Sequence, residues 1–568
     1  MRLHSACRKF ASAFFVALTL AMLPAFSRAE EPILAEDRLP SNVLFYITVP
    51  DIELAYEQFQ STAAGALIQD PSLEKFRAQL LERYTELQGE VLEKVGIPLS
   101  DLVNLFSGEL SVAVLRPVGQ PIGWATLIEI GENQPTLDAL LLKAEASFDG
   151  EKVEKETEEI EGIKVTTCTV ITSDKEDAVP VTFAYCVKEG YFLAGSDAGV
   201  LESVLIRWDG EHKDTFAGNQ IYQEIVAKCS TDEDTDVSLI WYVDPVSLTA
   251  TTLSMVPQTQ NFAGMIYMPT LGLTGLKAIG GVFEMGTKDF DSVSRSMVYL
   301  DGPPSGVLKV FQLKNGDQTP PAWVPENAQQ YVSFTWDIQA AYSAIESIYD
   351  SFGGPGKFAL ATGGLLEQSG MDLKLKPDVI DVLTGKVQLF YNVNTENPAA
   401  STGLVSLGVS DSAKGQKLVS EIFKLAGGAE TSSQSEAQLF TPVGEGTQGA
   451  AAVQGNTIFI SNVPDTIKTA LSPRPASPLS ASEKYKTIAK YLPGETSMLV
   501  FQDPTTQVAD AYEKARNGEF DSLLEGKIDF SVLPPFTELS KYFTPRVGYY
   551  IPDEQGSIGV QFSLKKSK

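Results

Sequence analysis

The chain has 568 residues, 43% of them hydrophobic, which is enough for at least two hydrophobic cores. Its 44 basic residues stand against 73 acidic ones, a net charge of −29. So acidic a chain repels phosphate backbones and anionic lipid surfaces, which excludes nucleic acid as a partner; a dispersed acidic surface is the simplest reading of the charge.

In chain order, Arg2, Arg8 and Lys9 precede an apolar run from Ala11 to Phe26 broken only by Ser12, Thr19 and Pro24. Ser27-Arg28-Ala29 then puts small residues three before and directly before a cut ahead of Glu30. Residues 1–29 therefore read as a secretory signal peptide cut after Ala29, leading to the periplasm or the outside of the cell. Cys7 precedes the apolar run, so it is no lipoprotein cysteine. Removing this segment takes four basic residues, and the charge becomes 40 − 73 = −33. No later stretch approaches the ~18 to 20 apolar residues of a membrane span, so no transmembrane segment is expected in the mature chain.

The first folded stretch, Leu39-Pro40-Ser-Asn-Val-Leu-Phe-Tyr-Ile-Thr-Val-Pro50-Asp51-Ile52-Glu-Leu-Ala55-Tyr56, reads as a buried strand, an Asp and a helix start. Val324-Pro325 through Trp336-Asp337-Ile338-Gln-Ala-Ala341-Tyr342 echoes it at an offset of 337 − 51 = 286 residues, about half the chain. After Asp70-Pro71, the stripe Leu73, Phe76, Leu80, Tyr84, Leu87, Val91 and Val95 predicts a long helix, stopped by Gly96 and Pro98. A short helix near Asp101 to Phe106 and the strand Glu109 to Leu115 complete a first unit, strand–helix–helix–strand. A second unit follows: strand Trp124 to Ile130, a helix opened by Pro135, strands around Cys168 and Cys186, strand Tyr191 to Leu193 and helix Ala198 to Trp208.

Val237 to Pro245 returns to the opening pattern, and Gly275 to Phe283 resembles the strand that closes the first unit. Gly302-Pro-Pro304, Asn315-Gly316 and Pro320-Pro321 mark residues 302–322 as a linker. The programme then repeats, with Leu383-Thr-Gly385 matching Leu105-Phe-Ser-Gly108. The expected fold is α+β: a tandem duplication of strand–helix–helix–strand and strand–helix–strand–strand units, in mostly antiparallel sheets with helices packed on a face. Its domains are residues 30–301 and 323–568.

Four aspartates recur at the strand-to-helix turn: Asp51, Asp244, Asp337 and Asp503. Asp there accepts bonds from free backbone N–H groups, so they are read as structural helix caps; Asp244 and Asp503 precede Pro, a favoured first helical residue. Cys168 and Cys186 flank the acidic turn Asp174-Lys-Glu-Asp177. A hairpin symmetric about residue 177 would face them for a disulfide, and two buried thiols are the alternative. Cys229 reads as a core residue.

The Leu-Pro-led strand with its trailing Asp, Ile221-Tyr222 … Val243-Asp244 with its pair Tyr485 … Gln502-Asp503, and the linker from Gly302 to Leu308 leading into Pro321-Ala-Trp-Val-Pro325 resemble a family of secreted bacterial repeat proteins. That family is known only as a domain of unknown function. The resemblance covers nearly all of the mature chain and implies a fold and an address, not catalytic residues.

Chemistry is scarce. His4 leaves with the signal peptide, so His212, in the charged loop Asp209-Gly-Glu-His212-Lys-Asp, is the one mature imidazole. A catalytic triad needs it in a pocket, and a zinc site needs several His or Cys ligands. Gly444-Glu-Gly446-Thr-Gln-Gly449 has dinucleotide-type spacing but leads into a strand, not a helix, so it reads as a hairpin loop. Asp232, Asp234 and Asp236 resemble the start of a calcium loop, a weak metal candidate, since Val237 and Val243 stand where Gly and Glu belong. With 73 acidic residues, no carboxylate pair stands out for glycoside hydrolysis. Thr251 to Gly281 holds Met255, Met265 and Met268 and almost no charge, which reads as core or as a soft apolar surface. No catalytic residue and no cofactor is assigned. The expectation is a non-enzymatic binding or scaffolding protein of the bacterial envelope, with an envelope or extracellular partner. The alternative is a carrier of an apolar ligand or lipid in a sheet–helix cavity; a His-independent carboxylate hydrolase ranks third.

Overall fold

The computed structural model describes residues 33–95, 105–116, 122–147, 152–171, 181–231, 236–254, 267–394, 397, 401–425, 427–434, 436–443, 449–472, 477–520 and 528–565. Residues 1–29, expected as a signal peptide, most of the short helix near Asp101, the turn Asp174 to Asp177, Asp232, Asp234, Met255, Met265 and Gly444 to Gln448 lie outside them.

Val43-Leu-Phe-Tyr-Ile-Thr-Val49 is a run of β-branched and aromatic residues that forms a strand with alternately buried and half-buried side chains, and such strands dominate the architecture. The first half contributes β1 (Val43–Val49), β2 (Leu110–Leu115), β3 (Gly123–Glu129), β4 (Lys152–Ile160) and β5 (Ile163–Ile171). It continues with β6 (Val181–Lys188), β7 (Tyr191–Gly195), β8 (Leu239–Val243), β9 (Leu276–Met285) and β10 (Phe290–Leu300). The second half contributes β11 (Gln330–Thr335), β12 (Leu383–Asn392), β13 (Thr402–Val409), β14 (Ala429–Gln434) and β15 (Ala437–Pro442). It ends with β16 (Ala450–Gln454), β17 (Thr457–Ser461), β18 (Met498–Gln502), β19 (Arg546–Asp553) and β20 (Gly556–Leu564).

The twenty strands of the described residues form one sheet, and their pairings are antiparallel. From one outer edge to the middle the pairings run β4-β5-β6-β7-β3-β2-β1-β8-β9-β10. From the other edge they run β14-β15-β16-β17-β13-β12-β11-β18-β19-β20. The second order is the first with ten added to every strand. The halves expected as two domains meet edge to edge, β10 against β20, from Phe290 opposite Leu564 to Tyr299 opposite Gly556.

The expected linker is folded in. Gly316 bridges Thr496, Leu313 bridges Trp336, and Gln318 is buried. Helical arms join the halves again at the strand ends. Tyr542 Oη (2.6 Å) and Lys541 Nζ (2.8 Å) both donate to Asp70 Oδ2, and Phe76 packs on Phe530. Beyond the opposite strand ends, Tyr267 meets Phe352 edge-on. Within the second arm, Tyr349, Phe352, Leu360 and Leu365 are exposed.

The two faces of the sheet differ. On what we call the closed face, Tyr46, Ala113, Ala125, Leu127 and Met297 pack under the helices Ala198–Leu205 and Gln220–Cys229, with Val200, Leu201, Tyr222 and Ile225 fully or nearly fully buried. Tyr331, Phe390, Phe501 and Val547 lie likewise under Pro464–Ala470 and Glu483–Ala489. Each large side chain buried there contributes about 1.5–3 kcal/mol.

One expectation fails on register. Cys168 stands opposite Phe183 and Cys186 opposite Leu193, so the two cysteines do not face each other and form no disulfide. The β5–β6 pairing (Thr166 with Tyr185) is centred between residues 175 and 176, only one and a half residues short of 177, and that shift is enough to put the two side chains on opposite faces. Burial pushes the Cys186 and Cys229 thiols up to about 12, and both behave as core residues. The charged strand β4, Lys-Val-Glu-Lys-Glu-Thr-Glu-Glu-Ile, is an element that alternation did not reveal.

Candidate functional site

Three of the four aspartates cap a helix, and Asp503 bonds one residue ahead of one, where Pro504 holds the N-cap position. Asp51 Oδ1 accepts from Leu54 N (3.0 Å), Asp244 Oδ1 from Ser247 N (2.8 Å), Asp337 Oδ1 from Ala340 N (3.1 Å) and Asp503 Oδ1 from Thr505 N (3.2 Å). Lys484 also pairs with Asp503 at 3.0 Å. His212 is exposed, its Nδ1 accepting from Asp214 N at 3.1 Å, far from any pocket role. Asp236 is exposed, and its carbonyl accepts from Gln58 Nε2. Among the described residues no group of His, Cys, Asp and Glu is placed to hold a metal ion, and no helix is long and apolar enough to cross a membrane.

What sequence reading missed lies on the other face of the sheet, which we call the open face. Directly opposed residues in an antiparallel sheet share a face. One such row crosses the strands as Val112–Ile47–Trp241–Gly281–Ser296–Gly559–Tyr550–Met498–Phe334–Val387–Leu407. A neighbouring row is Leu239–Phe283–Ser294–Gln561–Gly548–Val500–Val332–Leu389–Val405. Each half thus brings an apolar lane, and the seam between them is built of Gly, Ser and Gln. The lane side chains are only half-buried, and Tyr550 is exposed, whereas their neighbours on the closed face have almost no exposure. At the seam, Ser294, Ser296, Gln502, Arg546, Gly548 and Gln561 line a cleft of about 170 Å³.

Behind this face, in the closed core, each half holds a polar cluster at the same place. Glu109, just before β2, is 1% exposed. Its Oε1 accepts from Ala35 N (2.9 Å) and Ser111 Oγ (2.8 Å), and Ser111 Oγ lies 2.7 Å from Thr48 Oγ1. Beside it Glu36 accepts from Tyr46 Oη (2.7 Å) and Tyr222 Oη (3.3 Å). Burial pushes the Glu109 carboxyl up to about 7, and the Glu36 charge adds to this; the Ala35 and Ser111 bonds and Arg38 pull the other way. Glu36 is raised as well, mainly by burial. Arg38, 7% exposed, lies between the rings of Trp208 (3.9 Å) and Tyr191 (4.4 Å), and its Nε and Nη1 find no hydrogen-bond partner.

In the second half the position of Glu109 is taken by Lys386. Its Nζ donates to Gln318 Oε1 (2.6 Å) and to the Asp317 carbonyl. Gln318 also accepts from Ser333 Oγ and donates to Thr335 Oγ1 (3.0 Å) and the Thr496 carbonyl (3.0 Å). Gln388 Nε2 donates to Tyr331 Oη at 2.9 Å. Burial lowers the Lys386 ammonium to about 8, against the Asp317 charge. Both clusters are roofed by the segment before the opening strand, Ala35 to Leu39 in one half and Asp317 to Thr319 in the other. Neither presents a carboxyl or ammonium to a ligand-sized space, which leaves the open face as the candidate site. No family model, no curated protein and no solved structure matches the chain.

Proposed function

We propose that this is an exported, non-catalytic binding protein that holds an apolar ligand against the open face of its sheet. The observation that carries the reading is the contrast between the two faces: the closed face is sealed by helices, whereas on the open face the helices Gln134–Ser147 and Ser412–Leu425 cover only the outer strands and leave the apolar lanes of the inner strands half-buried. Apolar surface of that extent on a soluble protein marks a binding site. A basic n-region, an apolar run and Ser27-Arg28-Ala29 support export, and the resemblance to secreted repeat proteins agrees with it. The identical strand order of the two halves, with the paired caps and paired roofed clusters, supports descent from one duplicated unit. The scarcity of histidine supports a role without catalysis. The test is native mass spectrometry with organic-solvent extraction of protein purified without detergent. Co-purifying lipid-like mass, displaced from Val332→Asp protein, is expected. Protein that is empty and takes up no apolar fluorescent probe would be a scaffold instead.

A further inference from the structure

The two halves part company at one point of the open face. The matched pairs Tyr46–Tyr242 and Tyr331–Phe501 lead, one strand inwards, to Gly280 and Val547. The next pair along is Val243–Ile279 in the first half and Gln502–Arg546 in the second. An apolar pair has thus been replaced by an amide and a guanidinium, and these two line the seam cleft together with Gln561, Ser294 and Ser296. Arg546 is exposed and makes no ion pair among the described residues. The acid nearest to it in effect is Asp291, whose Oδ1 is already taken by Ala63 N at 2.6 Å and which also feels Lys565. In a chain of net charge −29, Arg546 puts a guanidinium at this end of the cleft, the one charged side chain among the described residues of its lining.

The floor beside Arg546 is low. A Cβ on Gly548 would meet nothing closer than 3.7 Å, so the space above that residue is open. On Gly559 a Cβ would come within 2.6 Å of the Tyr550 ring, so that ring lies over Gly559 and the open path from Gly548 runs past Gln561 and Ser294 towards Phe283. Beside that path the row of Gly559 continues over Ser296 and Gly281 to Trp241, Ile47 and Val112. A polar, positively charged end opening onto an apolar lane matches an amphiphile with one charged head.

We infer that the cleft is the head-group subsite of this face, and that the ligand is a single-chain anionic amphiphile, a long-chain carboxylate. The head sits on Arg546, Gln502 and Gln561, and the chain lies across the Gly–Ser floor onto the first-half lane. This rests on the apolar-ligand reading and narrows it to one chemical class and one orientation.

The test is fluorescence titration of the full-length mature protein with a polyene C18 fatty acid and with its methyl ester. The acid is expected to bind about tenfold more tightly than the ester. Arg546→Ala should remove that advantage by weakening the acid alone, and Gly548→Leu should weaken both probes by filling the floor. Arg546 is exposed, so its substitution leaves the fold intact; matching melting curves verify this. Equal affinity of acid and ester for the native protein, or an Arg546→Ala variant that keeps the preference, overturns the head-group assignment while the apolar-ligand reading stands. Failure of both probes to bind overturns that reading and this inference with it.

Discussion

Glu109 and Lys386 occupy the same place in the two halves, in the residue after a matched glycine, at the same end of the second strand. One is a carboxyl satisfied by donors, the other an ammonium satisfied by acceptors. The roof decides which. Over Glu109 lies the segment Ala35 to Leu39, which offers a backbone N–H from Ala35 and places Arg38 between two aromatic rings. Over Lys386 lies the connection between the halves, which offers the Asp317 carbonyl and the Gln318 side chain. A buried polar position in this fold is therefore selected for complementarity to its roof, not for its own charge. A catalytic role would demand one chemistry; a structural role tolerates either, provided every proton and lone pair is answered.

Exchanging the residues should break that complementarity. Glu109→Lys aims an ammonium at the Ala35 N–H and at Arg38 in a sealed site, and a loss of about 3–5 kcal/mol is expected in denaturant unfolding. The reverse change, Lys386→Glu, sets a carboxylate against two acceptors but in a half-buried site, and about 1–2 kcal/mol is expected. Equal losses, or none, would mean that the roofs adapt and that the comparison is empty.

The two clusters should also answer pH with opposite signs. Glu109 is raised from 4.5 to about 7, so between those values the folded state keeps a proton that the unfolded state has lost. Its contribution is full below pH 4.5 and falls as pH rises through 7, by on the order of 3 kcal/mol at most. Lys386 is lowered from 10.5 to about 8, so between those values the unfolded state holds the extra proton and stability from this group grows as pH rises. Glu109→Gln should flatten the lower window and leave the upper one alone. Unfolding curves measured from pH 4.5 to 10.5 on native protein and on this variant give the comparison.

Smaller effects test what the halves share. Asp51→Ala and Asp337→Ala each remove one helix cap and should each cost about 1 kcal/mol; the Lys314 ion pair on Asp337, with its exposed lysine, adds little. A twofold difference between the two in thermal melting would show that the caps are not equivalent. The smallest effect is expected of Arg38→Met, within about 1 kcal/mol of native, because losing the ring contacts is offset by removing two buried nitrogens without partners.

The repeated opening was readable because its signals are local: a strand, an Asp, a helix stripe, each within a few residues. Asp51, Asp244 and Asp337 accept from a backbone N–H three residues on for the same reason, whereas Asp503 bonds Thr505 N ahead of a helix whose N-cap, Pro504, brings no side-chain cap. Register is not local. The Cys168–Cys186 pairing failed because the position of a long hairpin's turn is set by how β6 meets β7, not by the midpoint of its polar residues. β4 was missed because it is an outer strand with Glu154, Glu156 and Glu158 along it; charge there blocks pairing with other chains and also erases the apolar alternation. Glu109 and Lys386 looked like ordinary strand flanks, since nothing in a single sequence shows that a distant segment will cover them. The open face stayed hidden for a related reason. Its residues are as apolar as those of the closed face, and the faces differ only in where helices settle: on the open face they cover the outer strands, with Leu137 and Leu140 over Ile128 and Leu418 and Val419 beside Ile458, and not the inner ones.

The seam also sets a schedule for the chain. β10 is complete at residue 300, yet its partner β20 starts only at Gly556. During synthesis the first half can assemble its ten strands around its own core while β10, paired to β9 on one side, waits as an edge with unpaired N–H and C=O groups on the other. Only β20 closes it, and that strand must itself be held by β19. A chain without β20 would thus carry two open edges in mid-sheet, β10 and β19, each a template for another copy. The joining of the halves falls to that one strand.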